Sequence, residues 1–120
     1  MKILQSAEDY LETILQLKNQ NGSVRSIDIA HELKYSKASV SIAMKKLREN
    51  NYILVNENGY ITLTDIGYEI AKRINDRLEL LTNALVQLGV SKEQAEIDAC
   101  KVEHNISEET FEAIKNHMNK

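Results

Sequence analysis

At 120 residues, with 42% apolar and 28% charged side chains, no proline and no long apolar run, the chain reads as a helix-rich globular protein rather than a membrane-spanning one. That length buries one modest core, or two small ones that lean on a second subunit. The formal net charge of −3 speaks against nucleic-acid binding only until it is mapped. Residues 34–48 hold Lys34, Lys37, Lys45, Lys46 and Arg48 and no acid, whereas residues 79–112 hold eight acids against Lys92 and Lys101.

In chain order, Ser6 is the expected N-cap of a first helix with Ala7, Tyr10, Leu11, Ile14 and Leu15 on its inner face, ending between Asn19 and Gly22. Ser26 is expected to cap a short helix with Ile27, Ala30 and Leu33 inward. Ser36 or Lys37 then opens a longer one with Val40, Met44 and Leu47 inward, so the pair reads as a helix-turn-helix. YILVNENGYITL supplies two β-rich runs around Asn58-Gly59, a hairpin signal that makes this segment the wing. Thr64 and Asp65 cap a long helix, and Leu78, Leu81, Leu85 and Leu88 repeat along its continuation as the expected dimer seam. Ser91 with Gln94 and then Ser107 open two final helices. The expected fold is mainly α: a winged helix-turn-helix domain over residues 1–64 and an all-helical dimerisation domain over 65–120, connected by a long helix at about 65–76.

A recognition helix presents short polar side chains at its amino end and basic ones further on, where they meet phosphates. Ser36, Lys37, Ser39 and Ser41 fill the first role here and Lys45, Lys46 and Arg48 the second, with Ser26 and Ala38 as further expected DNA-contacting residues. The expected partner is double-stranded operator DNA. No catalytic residue, membrane contact or small organic substrate is expected. The opening MKILQSAEDY lacks the apolar stretch of a secretory leader, and the lone Cys100 cannot close an internal disulfide, so the expected compartment is the cytoplasm.

EIDACKVEH places Cys100, Glu103 and His104 at i, i+3 and i+4 on one helical face, with Glu96 a turn earlier. Thiolate, carboxylate and imidazole form a ligand set for a divalent transition metal, and Asp9 or Glu12 on the first helix could complete it. Each residue also has a plainer reading: Asp9 as a capping partner of Ser6, Glu103 and His104 as solvated surface, Cys100 as a small apolar side chain. A thiol hydrolase built on Cys100 and His104 lacks any glycine loop for an oxyanion.

AEDYLETI, RLELL and DACKVEHNIS together resemble the metal-dependent repressors that include the diphtheria toxin repressor, the iron-dependent regulators and the manganese transport regulator. The resemblance covers essentially the whole chain. It implies a homodimer that represses metal-uptake genes when metal is plentiful, with Asp9, Cys100, Glu103 and His104 as primary ligands and two recognition helices set roughly 34 Å apart on a palindromic operator. Leu78 stands where that family carries a histidine of a second metal position. Glu12 matches a carboxylate of that position, and Glu96 or Glu79 compensates only in part, so the expectation is one well-formed metal per subunit. Cys100 resembles the iron-type proteins and Asp9 the manganese-type, and the softer donor tips the balance toward Fe(II) over Mn(II). Rival readings are a winged-helix regulator answering to redox or a small ligand through Cys100, and a constitutive DNA binder.

Overall fold

The computed structural model describes residues 5–120, with the side chain of Gln5 left aside. Its elements run α1 (Gln5–Asn21), α2 (Ser26–Leu33), α3 (Lys37–Glu49), β1 (Ile53–Val55), β2 (Ile61–Leu63), α4 (Asp65–Gln87), α5 (Lys92–Asn105) and α6 (Glu108–Met118). They group into two compact units, the first ending at Ile74 and the second spanning Asn75–Lys120.

The first unit is built on an apolar core from every one of its elements. Leu11 and Ile14 of α1, Ile29 of α2, Val40 and Met44 of α3, Ile53 of β1 and Ile61 of β2 are all buried. Local chemistry sets the helix ends with two departures from the reading above. Ser6 lies inside α1, which already runs at Gln5, so it caps nothing. Ser26 is the first helical residue of α2, not its cap: extended Arg25 precedes the helix, and the Asp28 carboxylate reaches back to accept the Arg25 N–H at 2.9 Å. Packing against the core, not the cap, decides the inward face. Ile29 and Ala30 go inward and Ile27 is left 37% exposed. Lys34 then takes the left-handed conformation (φ 58°), which turns the chain toward Ser36, whose hydroxyl accepts the Ser39 N–H at 3.1 Å and starts α3.

The wing is an antiparallel pair with Ile53 opposite Leu63, Leu54 opposite Thr62 and Val55 opposite Ile61. Its turn is organised by the Asn56 carboxamide, which accepts the N–H groups of Asn58 and Tyr60 at 2.9 Å each, while Gly59 supplies the positive φ of +82°. Pairing continues past β2: the Ile61 N–H donates to the Val24 carbonyl at 2.8 Å, and Arg25 bridges to Tyr60. The base of the wing is thereby pinned to the start of α2.

Thr64 caps α4 by accepting the Gly67 N–H at 3.1 Å. Its own hydroxyl proton faces the carbonyls of Asn51 at 2.7 Å and Tyr52 at 3.1 Å. Gly67 is needed for steric reasons, because a Cβ there would overlap the Tyr52 carbonyl oxygen. Gly67→Ala should therefore lower stability by about 1–3 kcal/mol, seen as a lower urea midpoint with an unchanged slope.

In the second unit Leu81, Ala99 and Phe111 form the core, with Leu78, Leu80, Leu85, Val102, Ile106 and Ile114 packed around them. Ser91 and Ser107 accept the N–H groups of Gln94 and Thr110 at 3.3 and 3.1 Å and so start α5 and α6. Gln94 turns its side chain to Asp98 rather than back to Ser91, so only half of the expected capping box forms. Leu81, read from its spacing as part of a dimer seam, is 2% exposed within the single chain, which leaves it no apolar surface to offer a second subunit. Leu88, beyond the end of α4, is 81% exposed, and Val86 and Ile97 are also exposed.

Candidate nucleic-acid interface and metal-ligand residues

The geometry of α3 follows from its core stripe. With Val40, Met44 and Leu47 turned inward, Lys37, Ala38, Ser39, Ser41, Lys45, Lys46 and Arg48 are all exposed. Ser36 is exposed too, but its hydroxyl is engaged: besides capping, it donates to the Ser39 hydroxyl at 2.9 Å. Ser26 is half-buried at the start of α2. Two exposed apolar residues escaped the sequence reading. Ile42 is 59% exposed on α3, and Tyr35 is 53% exposed in the turn before it, held edge-on to Tyr10 of α1 with ring centroids 6.1 Å apart. At the wing, the Arg25 guanidinium lies over the Tyr60 ring at 5.3 Å, beside an open recess lined by Glu57, Asn58 and Gly59. The clustering of cations on one outward helix face, with the wing alongside, suits a polyanion.

The acidic side chains of α1 sit differently. Asp9 is half-buried, and Glu12 is only 8% exposed with its Oε1 buried and lacking a hydrogen-bond partner. Burial first, and then the charges of Asp9 and Glu32, push the Glu12 carboxyl up from its ordinary value of 4.5 to about 7. The Thr13 hydroxyl goes to the Asp9 backbone carbonyl at 2.8 Å. A buried, under-satisfied carboxylate with two acids near it is an environment that a cation would relieve.

On α5, Cys100 is exposed while Glu103 and His104 are half-buried. Glu103 holds two partners: its Oε1 lies 3.3 Å from Arg77 Nε and its Oε2 lies 3.1 Å from His104 Nδ1. Arg77 in turn reaches Glu108 at 3.0 Å and stacks over the Phe111 ring at 4.2 Å. Its signal in the sequence is slight, the lone basic residue between Arg73 and Lys92. Glu96 is exposed a turn before Cys100. The structure thus brings Glu103 and His104 together. Among the described residues, no three His, Cys, Asp or Glu side chains are arranged to hold an ion as they stand.

Two family profiles match the chain end to end. The iron dependent repressor N-terminal DNA binding domain covers residues 2–64, and the iron dependent repressor metal binding and dimerisation domain covers 64–120. A helix-turn-helix transcriptional regulator of Methanocaldococcus jannaschii is 37% identical over 118 residues, which is 97% of this chain and 94% of that regulator. The transcriptional regulator MntR of Escherichia coli O157:H7 is 34% identical over 108 residues, 90% of this chain and 70% of that protein. Among solved structures, a manganese-dependent transcriptional repressor in complex with manganese matches 94% of this chain with a TM-score of 0.81 at 26% identity, and this chain spans 52% of its length, about half.

Proposed function

This chain belongs to the iron-dependent repressor family of metal-dependent transcriptional regulators, and from that premise we propose that it binds palindromic operator DNA as a homodimer when a divalent metal is bound, and so controls metal-ion uptake in the cytoplasm. Residues 1–64 serve as the winged helix-turn-helix domain and 65–120 as the metal-binding and dimerisation domain.

The observation that carries the reading is the Glu12 environment. A carboxylate 8% exposed, with an unpartnered oxygen and the charges of Asp9 and Glu32 near it, fits a cation. The proposed donors are Asp9 on α1 and Cys100, Glu103 and His104 on α5, with Glu12 and Glu96 as weaker ones. A bound divalent ion supplies the positive charge that this donor set calls for. The thiol of Cys100 favours Fe(II), whereas the similar repressor named above is described with manganese. Asp9 communicates with the DNA-reading face through packing: Leu11 and Ile14 of its own helix share a core with Val40 and Met44 of α3. The exposed Val86, Leu88 and Ile97 supply apolar surface for a second subunit.

Anaerobic titration of Fe(II) and Mn(II) into chelator-stripped protein, with DNA from its own upstream region, tests the proposal. Wild type should bind about one ion per subunit and gain DNA affinity, and Asp9→Ala should weaken metal binding by at least roughly 10-fold. Equal DNA binding with and without metal would overturn it. Cys100 is exposed, which favours a redox-responsive second reading; under that reading Cys100→Ser removes sensitivity to peroxide and Asp9→Ala changes nothing.

A further inference from the structure

The second unit carries a charged side chain that the proposed donor set does not use. Arg77 of α4 is only 14% exposed and touches Glu103 of α5 and Glu108 and Phe111 of α6, all within that unit. Its Nη1 donates to the Glu108 carboxylate at 3.0 Å, and its guanidinium lies over the Phe111 ring at 4.2 Å. Glu103 is held differently. Its Oε1 is 3.3 Å from Arg77 Nε, yet that buried Nε has no aligned acceptor, so the attraction is Coulombic. The contacts from α6 therefore keep Arg77 in place by themselves, and Glu103 is the partner that can leave without breaking an aligned hydrogen bond at Nε.

Glu103 is also one of the proposed metal donors, so a single carboxylate serves two cations. An ion bound through it brings a second positive charge toward a guanidinium that little water screens. Glu103 is open to the ion only for the fraction of time that Arg77 does not hold it, and apparent affinity falls by that fraction. We propose that Arg77 is an internal competitor for the metal: it occupies Glu103 in the metal-free chain, yields it to the ion, and so raises the metal concentration at which the protein responds. Glu108 remains to balance the guanidinium when Glu103 is withdrawn. The inference rests on the metal-binding reading above and adds what sets the threshold of that site.

Equilibrium dialysis of the full chain against anaerobic, chelator-buffered Co(II), an ion that thiolate, imidazole and carboxylate all bind, gives the affinity of each variant once a metal-free melt has shown that it folds. Arg77→Gln removes the charge and keeps an amide beside both carboxylates. It should bind Co(II) about ten-fold more tightly, the value of one charge-assisted contact. Arg77→Lys keeps the charge and should stay closer to wild type, a difference that lost packing on Phe111 would not produce. Glu108→Gln should act in the opposite direction and bind up to about five-fold more weakly, whereas Glu112→Gln, at another exposed acid of α6, should match wild type. Equal or weaker binding by Arg77→Gln, or equal tightening in Arg77→Lys, overturns the inference while the metal-binding reading stands. If Arg77→Gln does not fold, Glu108→Gln decides, and an affinity equal to that of Glu112→Gln overturns the inference. If wild type takes up no Co(II), the metal-binding reading falls and the inference with it.

Discussion

Arg77→Leu should lower the thermal midpoint by on the order of 10 °C, corresponding to about 3 kcal/mol for a chain of this size. The reason is what it leaves behind. Glu103, whose side chain is 10% exposed, would lose the guanidinium 3.3 Å from its Oε1, and Phe111 would lose the cation stacked on its ring. The arginine also carries its own control. Its other partner, Glu108, is 72% exposed, so Glu108→Gln should change stability by less than about 1 kcal/mol. Buried Arg77 Nε lacks a well-aligned hydrogen bond despite its proximity to Glu103, so the contact is chiefly ionic. Replacing Arg77 and Glu103 together by leucine should recover much of the loss, because the stranded charge is then gone as well. Thermal melts of the three metal-free variants distinguish these outcomes, and a double variant as weak as Arg77→Leu alone would show that packing on Phe111, not charge, is what the arginine provides.

The second large effect depends on pH. Glu12 is protonated more readily in the folded chain than in the unfolded one, with its carboxyl raised from 4.5 to about 7. Below pH 4.5 both states carry the proton and nothing is lost. Between 4.5 and about 7 the unfolded chain releases its proton while the folded chain keeps it, so stability falls, by on the order of 3 kcal/mol once pH exceeds the folded value. Glu12→Gln removes this dependence: it should match wild type near pH 4 and exceed it at pH 8 in metal-free protein. Urea unfolding at several pH values checks the sign, and a difference between the two proteins that stays constant with pH would refute it. Asp9 and Glu32 contribute to the shift, so neutralising either should reduce it without abolishing the larger part due to burial.

Residues whose environment is local were legible in the sequence. Ser36, Ser91 and Ser107 cap helices through a hydroxyl and an N–H three positions on, and Asn58-Gly59 marks the wing turn, because every partner lies within a few residues. Ser26 is the first helical residue rather than the cap because Asp28 makes the cap from inside the helix, a partner that a serine at the helix start does not announce. Leu81 illustrates a different loss. Leucines at helical spacing announce an apolar face but not whether that face meets another helix of the same chain or a second subunit, and α5 and α6 cover Leu81 with Ala99 and Phe111. The candidate donors Asp9, Glu12, Cys100, Glu103 and His104 were likewise visible as residue types at helical spacing. That Glu12 would be buried under the charge of Glu32, or that Glu103 would face Arg77 twenty-six positions away, is set by tertiary packing and has no local signature. Ile42 carries no polar signal in the sequence, and its exposure follows only from the inward stripe of Val40, Met44 and Leu47.

Thr64 has one hydroxyl and three neighbours. It receives the Gly67 N–H of α4 and directs its proton toward Asn51 and Tyr52, the residues through which the chain leaves α3. The first turn of α4 is thereby fastened to the exit of α3 by hydrogen bonds on both sides of Thr64, tightened further by the absence of a side chain at Gly67. In mechanical terms this is a rivet, not a hinge. Any reorientation of α3 has to carry the opening of α4 with it, and flexibility, if the protein uses it, must be found elsewhere than at residue 64.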